Sequence, residues 1–275
     1  MIREILPPDV VSVTDAELGL DESAVVAAMY PVEAEQISNA VASRRADFAW
    51  ARACAREAMT RLGAPVGPIV RGGKGMPVWP PGVVGTLTHT DGLRAAALGS
   101  AGRVRSLGVD VEPHEPLAAG VLDAVSLPEE AAWVRAVGVE LPSVHWDTLL
   151  FTAKEATYKA WFPLTRRWLG FADAHVTLAP DPPRGGAHAG ANDRADDRDS
   201  ADNKHDNDDD KHDNDDDNSS HTVFAGALRS RILVDPRAID GGPDLVEFHG
   251  RWVVRDGYVA SAIVLRPAGL DSVGP

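Results

Sequence analysis

Asp110 and Glu112 stand two residues apart in the run Ser106-Leu107-Gly108-Val109-Asp110-Val111-Glu112-Pro113. Carboxylates that close repel one another unless a cation or a proton lies between them. A divalent ion held by one or two carboxylates, with waters and a substrate phosphate completing its shell, is how proteins usually hold magnesium. About forty residues further on come Lys154, Glu155 and Lys159. Glu155 and Lys159 are four apart and share a helix face. They read as an exposed salt bridge worth a few tenths of a kcal/mol. Equally, Glu155 is a third metal ligand or general base, and Lys159 meets a phosphate. Spacing alone does not choose.

These groups need a strand and a helix to hold them. Leu107, Val109 and Val111 alternate with Gly108, Asp110 and Glu112. That period predicts a strand with one buried face and both carboxylates off its other side. Trp146, Leu149, Leu150, Ala153, Thr157, Ala160 and Trp161 recur at helical spacing and predict a core-facing helix over 146–161. Strand-like runs also occupy 85–89 and 93–98. The turn residues Gly99-Ser100-Ala101-Gly102-Arg103 predict a hairpin joining 93–98 to 104–112. His89 ends its strand just before Asp91-Gly92, and structural and chemical readings of it weigh equally.

The N-terminal part reads as loop and helix up to Leu62, with a helix over 44–62 stopped by Gly63 and Pro65. Arg52 and Arg56 each lie within about 20° of Arg45 on it, flanked by Arg44 and Arg61. By itself this is a solvated face, and it gains weight only from the phosphate-type signals that follow. Arg71-Gly72-Gly73-Lys74-Gly75 sets two basic residues among glycines that let backbone approach an anion. A plain turn explains it as well, and P-loop spacing is absent.

The formal charge of −14 is concentrated in one place. Between Asp193 and Asp217 there are thirteen Asp against four Lys or Arg, a net of −9; subtracting it leaves −5 for the rest. There Lys204–Asp210 is repeated unchanged at 211–217, without the apolar positions of a coiled coil or the Gly and Glu of an EF-hand loop. A solvated, disordered insertion over about 181–221 is expected. The single cysteine, Cys54, excludes an internal disulfide framework, and a reduced, cytoplasmic setting is expected. The N-terminus does not read as a signal peptide. No stretch approaches the roughly 18 consecutive apolar residues of a membrane span. A mildly acidic body whose arginine stripe lacks interleaved aromatics argues against nucleic acid.

Three strings carry a resemblance: Gly-Thr-Leu-Thr-His at 85–89, Gly-Val-Asp-Val-Glu-Pro at 108–113, and Phe-Thr-Ala-Lys-Glu-Ala-Thr-Tyr-Lys-Ala-Trp at 151–161. In this order and separation the sequence resembles the 4′-phosphopantetheinyl transferases of the surfactin/enterobactin-type class, particularly their actinobacterial members. Thr90 and Leu93 stand where relatives often have Cys and Tyr.

The resemblance implies an α/β (α+β) fold of two similar lobes related by a pseudo-twofold axis, with coenzyme A in the cleft between them. The lobes would be 1–107 and 108–266, the second interrupted by the Asp-rich insertion, with a tail at 267–275. Asp110, Glu112 and Glu155 would hold Mg²⁺. Lys159 and His89 would contact the pyrophosphate, and Arg44, Arg52, Arg71 and Lys74 the 3′-phosphate and adenine end. Lys154 would be a further contact. The partner would be an apo acyl carrier protein or peptidyl carrier domain, met by a monomer. Another Mg²⁺-dependent phosphotransferase or phosphohydrolase, or a cation binder working through its Asp-rich segment, are the alternatives.

Overall fold

The computed structural model describes residues 1–182 and 223–269. The expected Asp-rich insertion and most of the tail lie outside the described residues. After a 3₁₀ turn at Ile2–Ile5, the chain forms strand β1 (Val10–Thr14). Short helices α1 (Glu22–Ala27) and α2 (Pro31–Gln36) lead into the long helix α3 (Ala42–Leu62). Gly63 ends α3 at φ 70°, a left-handed cap that costs glycine no Cβ clash. Strands β2 (Val83–Thr90) and β3 (Leu93–Ser100) then form a hairpin through Asp91-Gly92. The sheet order is β1-β3-β2, all antiparallel.

The second lobe begins with β4 (Ser106–Pro113). Helices α4 (Val121–Val125), α5 (Pro128–Glu140) and α6 (Trp146–Thr165) follow. Strands β5 (Ala174–Pro180), β6 (Phe224–Ile232), β7 (Glu247–Arg255) and β8 (Tyr258–Leu265) complete an antiparallel sheet in the order β4-β8-β7-β6-β5. Each lobe therefore follows one plan. A first strand is followed by a helical crossover, then by a meander whose last strand pairs back with the first. The second meander has four strands where the first has two. This is the expected two-lobed α/β architecture.

Apolar periodicity explains α6. All seven residues assigned to its core face are buried, against Phe248, Trp252 and Leu228 of the second sheet. The opposite face of that sheet and β4's Leu107, Val109 and Val111 pack on Ile2, Ile5, Val10 and Leu93 of the first lobe. Three local expectations are corrected. Val10–Thr14 is a strand and not loop or helix, in keeping with its three valines and one threonine. The hairpin of 93–98 with 104–112 does not form. β3 is the central strand of its sheet, with both edges taken by β1 and β2, so β4 pairs with β8 instead. And β4 is covered on both faces, because α6 lies over its Gly108 and Asp110 side.

Candidate active site

β4 and α6 approach so closely that only glycine fits between them. A Cβ on Gly108 would sit 2.0 Å from the carbonyl oxygen of Ala156 and 2.8 Å from the nitrogen of Ala160. Two residues along the same face, Asp110 is buried, and Lys159 of α6 reaches it, with Nζ 2.7 Å from Oδ1. The same ammonium donates to the Val109 carbonyl at 3.1 Å.

β2 lies alongside β4 without backbone pairing, and side chains join the two. Thr88 Oγ1 donates to Asp110 Oδ1 at 3.2 Å, and Thr90 Oγ1 to Glu112 Oε2 at 2.9 Å. Asp110 Oδ2 is buried with no hydrogen-bond partner. Glu155 is half-buried; burial first, then the charges of Asp110 and Glu112, push its carboxyl above the usual range, against the pull of Lys159. Burial raises Glu112 likewise, with Asp110 adding to it and the Thr90 hydroxyl opposing it. The three carboxylates therefore repel one another through a partly dry interior, with the Lys159 ammonium offsetting part of that repulsion. Among the described residues no three acidic, histidine or cysteine side chains form a ready-made metal cage. The orphaned Asp110 oxygen and the mutual repulsion fit a divalent ion that takes one or two carboxylates and fills its remaining positions from waters and a phosphate. Asp110 and Glu112, with Glu155 beside them, could hold such an ion.

From Lys159 a cleft of about 590 Å³ opens between the lobes. Apolar side chains including Phe48, Trp79, Leu87 and Phe162 line it, and Arg44, Arg71, Lys74 and Arg166 add positive charge. Arg44 Nη1 lies 3.1 Å from His89 Nε2. A guanidinium only donates, so His89 accepts at Nε2 and carries its proton at Nδ1. The exposed Arg44, Arg71 and Lys74 make no salt bridge among the described residues. Arg105 also reaches the cleft, but its charge is answered by Asp240 at 2.8 Å.

Of the expected site residues, Arg44, Arg52, Arg71, Lys74, His89 and Lys159 line the cleft, while Asp110, Glu112 and Glu155 lie outside its lining, behind Lys159. Two depart from expectation. Lys154 points away into the second lobe. Its Nζ is fully engaged by Glu130 Oε2 at 2.7 Å, Phe171 O at 2.7 Å and Ala174 O at 2.6 Å. Three donors with three buried acceptors leave nothing for a ligand. Arg52 lines the cleft but is only 4% exposed, bonded through Nε to Ile69 O and through Nη1 to Phe48 O. Burial, with Arg71 and Arg56 adding to it, pushes it down to about 9, so it keeps its charge at neutral pH. Of the arginine stripe, Arg56 is spent on buried Glu33.

Thr88, Tyr158 and Arg166 are not singled out by the sequence, and Thr90 stands out there only as a departure from its relatives. The period-two run Thr86, Thr88, Thr90 was the available signal for the hydroxyls. Arg166 caps α6 in left-handed geometry, φ 56°, where glycine is usual, and nothing local announces it.

A cleft of this kind, apolar along its walls, cationic at its rim and carboxylate-backed at one end, suits a substrate that joins an apolar body to phosphates. Comparison with known proteins gives the class. Residues 32–99 match the model of the 4′-phosphopantetheinyl transferase N-terminal domain, and residues 106–205 that of the 4′-phosphopantetheinyl transferase superfamily. The chain is 42% identical to the 4′-phosphopantetheinyl transferase Npt of Nocardia iowensis, over 96% of this chain and 99% of that protein. It is 43% identical to the 4′-phosphopantetheinyl transferase PptT of Mycobacterium tuberculosis, covering 86% and 85%. To the 4′-phosphopantetheinyl transferase Svp of Streptomyces mobaraensis it is 39% identical, covering 89% and 82%. The chain belongs to the 4′-phosphopantetheinyl transferase family of enzymes. No helix among the described residues is long and apolar enough to cross a membrane.

Proposed function

We propose that this enzyme moves the 4′-phosphopantetheine arm of coenzyme A onto a serine of an apo acyl carrier protein or peptidyl carrier domain, with Mg²⁺, releasing 3′,5′-ADP. The observation that carries this reading is Lys159, which borders the cleft while pairing with a buried aspartate that has one oxygen unpartnered. Arg44, Arg71 and Lys74 are free to neutralise the nucleotide phosphates, and the apolar walls suit the base. His89 and Lys159 meet the pyrophosphate.

In an in-line displacement at the β-phosphorus, charge grows on the phosphoryl oxygens and on the departing 3′,5′-ADP. When bound, Mg²⁺ supplies Lewis-acid stabilisation of that charge. Lys159 uses two of its three N–H groups on Val109 and Asp110, and the third is available to a phosphate oxygen. Glu155, raised by burial and its acidic neighbours, takes the proton of the attacking serine, directly or through a water.

Incubation with coenzyme A, Mg²⁺ and an apo carrier protein tests the reading by intact mass. The expected product is the carrier heavier by one phosphopantetheine arm, lost when the metal is chelated. Absence of the gain across several carriers would sink the assignment.

A further inference from the structure

Asp110 is held twice over, by Lys159 and by Thr88. Glu112 has one hydrogen-bond partner among the described residues, the hydroxyl of Thr90. The two threonines are two apart on β2 and the two carboxylates two apart on β4, so a single alignment of the strands satisfies both pairs at once. No backbone ladder fixes that alignment, since β2 and β4 belong to different sheets. The end of β2 is instead clasped from the second lobe: Tyr258 Oη donates to the Asp91 carbonyl at 3.2 Å. Tyr258 is itself paired with Pro113 at the end of β4.

We infer that Thr90 is a positioning residue, which holds the Glu112 carboxylate by Oε2 and leaves its second oxygen for the metal. This rests on the metal reading above. The Thr90 hydroxyl would act through Glu112 and touch neither coenzyme A nor the carrier. A partner that orients a ligating carboxylate is worth on the order of 10-fold or more in metal affinity. Thr90 is half-buried at a strand end, and valine keeps its shape and β-branching while removing the donor.

The test is Mn²⁺ binding, followed by electron paramagnetic resonance, to the full chain with coenzyme A and without carrier. Wild-type, Thr90→Val and Thr90→Ser proteins are compared, with thermal unfolding to show that each is folded. The expected result is Mn²⁺ affinity about 10-fold weaker for Thr90→Val and restored by Thr90→Ser. In turnover, Thr90→Val should raise the Mg²⁺ concentration for half-activity while leaving KM for coenzyme A in place. Unchanged Mn²⁺ affinity in Thr90→Val, or a Thr90→Ser protein as weak as it, overturns the inference alone. No Mn²⁺ binding by the wild-type chain overturns the metal reading and this inference with it.

Discussion

Lys159 Nζ lies 2.7 Å from Asp110 Oδ1, and this contact joins helix α6 to strand β4 at the end of the interlobe cleft. Lys159 is a quarter exposed and Asp110 is buried, so the pair is only partly screened by water. Its work is both structural and electrostatic.

Lys159→Met leaves Asp110 with Thr88 as its only named partner. Losing a hydrogen bond to a charged group costs about 1–3 kcal/mol, read as a lower denaturant midpoint at unchanged slope. Transfer should fall on the order of 100-fold, as when a group stabilising transition-state charge is removed. Lys159→Arg should not restore it, because a planar fork cannot replace a compact ammonium in that space. Full activity in the methionine variant would exclude Lys159 from the chemistry.

Burial and the neighbouring acids raise Glu155 and Glu112 above their ordinary 4.5. A raised carboxylate binds its proton more tightly folded than unfolded. Stability contributed by that proton is therefore intact below about 4.5 and is lost as pH climbs through the folded value. Glu155→Gln cannot ionise and escapes the loss. The difference in melting temperature, variant minus wild type, should grow in the variant's favour from pH 4.5 upward, while its transfer activity drops. A flat difference would show that Glu155 is not strained by its neighbours.

Arg44→Ala and Lys74→Ala should each raise KM for coenzyme A about 10-fold with little change in kcat, the pattern of lost binding shared by ground and transition states. Lys154→Met should do the reverse of both. It strips a buried Glu130 of its counter-ion, which costs about 3–5 kcal/mol of stability, and should leave KM for coenzyme A unchanged in whatever protein remains folded. Equal effects on KM would return Lys154 to the binding site.

Gly108→Ala drives a methyl into the Ala156 carbonyl. Overpacking costs about 1–3 kcal/mol, and here it pushes α6 off β4, separating Lys159 from Asp110. Activity should therefore fall further than stability, measured at a temperature where the variant is still fully folded. Wild-type turnover would mean that the gap is not critical.

The site was legible where one element carried its own pattern. The alternation around Asp110 and the helical repeat from Trp146 to Trp161 placed β4 and α6, and with them the paired acids and Lys159. Pairing choices were not legible. Turn chemistry at 99–103 favours a hairpin, but β3 has no free edge to offer, and that is a property of the whole sheet. Lys154 failed for a related reason. Its neighbour in sequence faces the carboxylate cluster, while its own side chain meets Glu130, Phe171 and Ala174, groups that only the folded second lobe brings together. Thr90 shows in the sequence only as a departure from its relatives, because its meaning depends on Glu112, twenty-two residues away.

The longer second meander gives the enzyme a place to vary. β5 is the far strand of its sheet, four strand spacings or about 19 Å from β4. The β5–β6 connection leaves from Pro180 and returns at Phe224 at that outer margin. A change of length between those two ends is therefore expected to leave Asp110 and Lys159 in place, which makes the same margin the graft point to choose for a tag or fluorophore.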